Sequence, residues 1–83
     1  MSGTIVALNR NLGAVVVETQ THQCVLLETS GLMPFSIGEM VEGAWDQPGE
    51  IVLHNPATGV HIRARVQKTN ATRSEAVGSM TVF

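Results

Sequence analysis

The chain predicts a small all-β barrel of five strands, or six if a short one is added, and three observations predict it. Apolar residues come in short runs bounded by turn residues, the pattern of strands, while helical spacing is hard to find. Eleven residues are valine, and β-branched side chains favour extended backbone. The 83 residues hold one hydrophobic core, and closure removes the edges that a small flat sheet would expose.

The elements follow in order. Gly3 to Asn9 reads as a first strand, and Arg10-Asn11-Leu12-Gly13 as a turn in which Gly13 is free to take φ > 0. Ala14 to Glu18 is a second strand, joined through Thr19-Gln20-Thr21-His22 to a third at Gln23–Glu28, so that the three form an antiparallel meander. Ser30-Gly31-Leu32-Met33-Pro34 interrupts regular structure, with room for one helical turn before Phe35 returns to the core. Glu39 to Trp45 is a fourth strand, and Asp46-Gln47-Pro48-Gly49 has turn chemistry. Ile51 to His54 supplies a short extra strand, and Asn55-Pro56-Ala57-Thr58-Gly59 turns the chain again. In the last strand, Val60 to Thr69, Val60, Ile62, Ala64 and Val66 alternate with His61, Arg63, Arg65 and Gln67. Residues 1–69 are therefore expected to form the barrel and 70–83 a flexible polar tail.

Composition narrows the functional classes. Cys24 is the single cysteine, which excludes an internal disulfide framework. Met1-Ser2-Gly3-Thr4 lacks the basic start and apolar run of a secretion signal, and no stretch approaches the ~20 apolar residues that span a bilayer. A cytoplasmic protein without membrane contact is the expectation. The net charge of −2 is uneven. Residues 1–60 carry Arg10 against six carboxylates, a net of −5; residues 61–83 carry Arg63, Arg65, Lys68 and Arg73 against Glu75, a net of +3.

The first part of the chain resembles a cold-shock domain, one form of the oligonucleotide-binding (OB) fold. The family's opening pattern G-T-V-K-W-F-N is similar to Gly3-Thr4-Ile5-Val6-Ala7-Leu8-Asn9, and after Arg10-Asn11-Leu12 its K-G-F-G-F-I pattern meets Gly13-Ala14-Val15-Val16-Val17. The V-F-V-H motif falls at Val25-Leu26-Leu27-Glu28, and the E-G-Q-x-V stretch is similar to Ile37–Gly43. The likeness spans about residues 3–45. It implies an OB-type barrel that holds single strands by stacking bases on rings of the first three strands. Here those places carry Ala7, Leu8, Ala14, Val16, Leu26 and Glu28, and two places that the family gives to lysine carry Val6 and Leu12. Stacking contributes ~1–3 kcal/mol per base, so nucleic-acid binding on this chain needs another surface.

Two candidate surfaces remain. The basic row His61, Arg63 and Arg65, extended by Lys68 and Arg73, offers phosphate contacts from one strand face. The alternative is an outer barrel strand whose cations are balanced by glutamates such as Glu39 or Glu42. The second surface is the ring-less one: Val6, Leu8, Leu12, Val16 and Leu26 would form an aliphatic patch suited to a protein partner or a homodimer. A run such as Ala14–Val17 cannot turn every residue into one small barrel. His22 with Cys24, and His54 with His61, are the possible metal ligands, but two such pairs need strands that converge, and no metal site is assigned. No catalytic constellation is evident, since Glu39 and Glu42 at odd spacing fall on opposite strand faces, and no cofactor is implied. The expected function is non-catalytic binding, of single-stranded nucleic acid through the basic row or, alternatively, of protein through the aliphatic patch.

Overall fold

The structure is a computed structural model that describes residues 1–29, 34–46 and 48–80. Six antiparallel strands close into one barrel: β1 (Ser2–Asn9), β2 (Ala14–Thr19), β3 (Cys24–Thr29), β4 (Met40–Glu42), β5 (Gly49–His54) and β6 (His61–Ala71), in the spatial order β1-β2-β3-β6-β5-β4. This small all-β barrel fits the OB type, the sixth strand being the short segment before His54. β4 is shorter than the expected Glu39–Trp45, because beyond Glu42 the chain leaves the ladder and Trp45 folds inward, 3% exposed. The expected helical turn at Ser30–Pro34 lies almost wholly outside the described residues, but Phe35 does return to the core, fully buried.

The meander depends on close approaches that side chains would block. A Cβ on Gly3 would lie 2.6 Å from the Glu18 carbonyl oxygen, where β1 crosses β2. Gly13 has φ +68° and its carbonyl accepts from both the amide and the hydroxyl of Thr29, at 2.7 and 3.0 Å. Asn9 shapes the intervening turn by accepting from the amides of Asn11 and Leu12 at 3.1 and 3.2 Å. These three residues, matched to the family pattern, therefore have structural work here.

The barrel interior is filled by Ile5, Val15, Val17, Val25, Leu27, Phe35, Val41, Leu53 and Val66, with Trp45 near one end. A second buried cluster lies outside the sheet: Ala14, Val16, Cys24, Leu26, Ala71 and Ala76. It exists because residues 70–80, expected to be part of a flexible tail, form the end of a strand and a helix. β6 runs on through Ala71, and α1 (Arg73–Met80) lies against β2, β3 and β6. Thr72-Arg73-Ser74-Glu75 forms a capping box. The Thr72 hydroxyl accepts from the Glu75 amide at 3.1 Å, and the Glu75 carboxylate accepts from the Thr72 amide at 3.0 Å. Ala14–Val17 are all fully buried because the barrel takes two of them and α1 covers the other two.

Candidate functional site

The expected aliphatic face is not an open surface. Val16 and Leu26 are sealed beneath α1, the second 1% exposed. A bulge in β1, between Ile5 and Ala7, shifts the alternation so that Leu8 packs toward the barrel interior while Val6 and Ala7 lie half-buried beside the α1 cluster. Leu12, in the β1–β2 turn, is left exposed away from them. Cys24 lies in the same sealed layer, where burial, and after it the Glu18 carboxylate, pushes its thiol pKa up; Arg73 opposes this. A buried thiol with a raised pKa is a poor nucleophile.

The basic row is divided in two. His61, Arg63 and Arg65 project from the exposed face of β6, as strand alternation dictates. A second bulge sets Leu26 and Leu27 opposite Lys68 and Val66, so Gln67 is an extra residue and Lys68 emerges outward instead of entering the barrel. Lys68 then donates to the Ser79 hydroxyl of α1 at 3.4 Å, and Arg73 pairs with Glu18 at 3.3 Å. Neither extends the row on the open face.

Three cross-strand rows make up that open face. Glu42, His54 and His61 stand in register across β4, β5 and β6, with His54 Nδ1 3.6 Å from the Glu42 carboxylate. Val52, 54% exposed, stands opposite Arg63. Arg65 has Glu50 on one side, 3.8 Å away, and Glu28 in register on the other. The glutamates that balance the row are thus Glu28 and Glu50; Glu39, expected to do so, instead holds the Asn55 side chain at 2.8 Å and the Ser36 amide. Among the described residues Arg63 has no ion-pair partner, and no group of three His, Cys, Asp or Glu side chains converges as a metal site.

Reasoning from sequence missed α1 and hence the sealing of the β2–β3 face. Its signal was present as T-x-x-E at Thr72–Glu75 followed by Ala76-Val77. The described residues include no helix long and apolar enough to cross a membrane. Comparison with protein-family models, curated proteins and solved structures returned no match, so the functional reading stands on this geometry.

Proposed function

We propose that the chain is a non-catalytic binding barrel, a cold-shock-like variant that docks a protein partner through the outer face of β5 and β6. One observation carries the reading: Arg65 on that face is flanked by carboxylates on both sides, next to an exposed apolar centre. Arg65 between Glu28 and Glu50, and His54 beside Glu42, make a charge-balanced surface with Val52 in its middle. Such a pattern suits an interface with an apolar core and a polar, register-setting rim. A polyanion would meet carboxylates on both sides of Arg65, and counterion release needs uncompensated cations. With α1 over Val16 and Leu26, base stacking on the first three strands has no surface either.

A second reading, weak phosphate-directed binding of single strands through His61, Arg63 and Arg65, is favoured by Arg63, which has no ion-pair partner among the described residues. The two separate in one pair of measurements. A photo-crosslinking residue at position 52 should trap protein in cells, and Arg63→Glu should abolish the adduct. Fluorescence anisotropy with a single-stranded oligonucleotide should show no salt-dependent binding. Micromolar binding that collapses with salt and with Arg63→Glu plus Arg65→Glu would overturn the protein reading.

A further inference from the structure

At one end of the barrel the β2–β3 turn, the β4–β5 connection and the bulged end of β6 surround an open pocket of about 460 Å³. That is within the ~300–1,000 Å³ of small-molecule sites. Its lining is distinctive in kind. Hydroxyl and carboxamide groups of Thr19, Gln20, Gln23, Thr69 and Asn70 line it beside the exposed Met1, and the buried Val25 and Trp45 complete the lining. Among the described residues, Asp46 is the single charged side chain in the lining, and the Gln20, Gln23, Thr69, Asn70 and Asp46 side chains make no hydrogen bond within the chain.

Trp45 adds a second, independent observation. The indole is 97% buried by its 3% exposure, yet its N–H meets no acceptor among the described residues. Its six-membered-ring edge is turned toward Gly43, where an added Cβ would come within 3.2 Å of Cε3. Among the described residues no side-chain nitrogen or oxygen is both sealed and without a partner, so this N–H keeps a small opening to the outside, and Trp45 is one of the residues that line the pocket. A nearly buried donor left open in this way takes its acceptor from outside the chain, water or a ligand oxygen that displaces it.

We infer that this pocket binds a small uncharged polyhydroxyl molecule, a sugar-like ligand, independently of the protein-docking face on β5 and β6. The chemistry narrows to that class by elimination. Among the described lining residues no lysine or arginine occurs, and the Asp46 carboxylate offsets the terminal amino group of Met1, so the lining has no net positive charge to hold phosphate or another anion. One carboxylate without a second acidic ligand does not hold a metal ion. An aromatic ligand has almost no ring surface to stack on, because Trp45, the single aromatic residue among the described lining, is only 3% exposed. Groups that both donate and accept, arranged around one fixed donor, match a ligand whose every hydroxyl does the same.

The single tryptophan makes the test direct, since the protein has one indole N–H resonance. The intact chain would be titrated with methyl glucoside, ribose and inorganic phosphate, following amide and indole cross-peaks by NMR. The expected result is a saturable shift of the Trp45 indole peak with a neutral polyol, together with the amides of Thr19 to Gln23 and Asn70, and none with phosphate. Gln23→Ala, and Asn70→Gly, which tolerates the φ of +53° at that position, should each weaken the binding about tenfold without changing the fold. The inference fails if no polyol moves the indole peak saturably, if phosphate moves it equally, or if both variants bind as the parent does.

Discussion

The outer surface of the barrel has two halves built from similar strands and put to opposite uses. On β2 and β3 the outward side chains are Ala14, Val16, Cys24 and Leu26, and α1 covers them. On β5 and β6 the outward side chains include Glu50, Val52, His54, His61, Arg63 and Arg65, and among the described residues no helix covers them. The first half is a second hydrophobic core, the second a polar surface with one apolar island. In a small barrel of this kind, then, aliphatic side chains on the outer face of β2 and β3 need not leave a sticky surface: a short helix with two small apolar residues, Ala76 and Val77, is enough to cover them.

The contrast breaks most easily at Leu26. Leu26→Ala should lower stability by about 2–4 kcal/mol, because it opens a cavity between sheet and helix, whereas Val52→Ala on the open half should stay within about 0.5 kcal/mol. Urea denaturation of the two variants measures the difference, and equal midpoints would mean that α1 does not seal the face. Next in size, Ala76→Asp places a carboxylate in the sealed layer. It should loosen α1 while the barrel persists, raising the rate of Cys24 modification by a thiol reagent about tenfold or more, with the strand signal in circular dichroism unchanged.

Smaller effects sharpen the boundary. Thr72→Ala removes the capping hydroxyl and should cost the helix about 1 kcal/mol, seen as faster amide exchange at Ala76. Acid acts on the same cap. The Thr72 amide, and after it the Thr72 hydroxyl, hold the Glu75 carboxyl below its usual value of 4.5. A lowered pKa in the folded state means that Glu75 adds to stability above pH 4.5 and loses that contribution as the pH falls through the folded-state value. Helical ellipticity should therefore decline in acid for the parent, and Glu75→Gln should flatten that decline. Smallest of all, Glu50→Gln should change the urea midpoint by no more than about 0.5 kcal/mol, since its 3.8 Å pair with Arg65 is more than half exposed on both sides.

Strand periodicity, turn chemistry and the valine-rich runs were enough to place the six strands within a residue or two at most ends, and the alternation in β6 put His61, Arg63 and Arg65 on one face. Those properties are local, and the chain carries them whatever its neighbours do. Three matters waited for the tertiary structure. The bulges in β1 and β6 redirected Leu8 inward and Lys68 outward, because register depends on the partner strand. The position of Arg65 between Glu50, its ion-pair partner, and Glu28, its register neighbour, came from the order β3-β6-β5, which no local pattern encodes. The role of the outward aliphatic residues turned on whether residues 73–80 fold back: an eight-residue helix is marginal alone and becomes stable by burying Ala76 against the very face it covers.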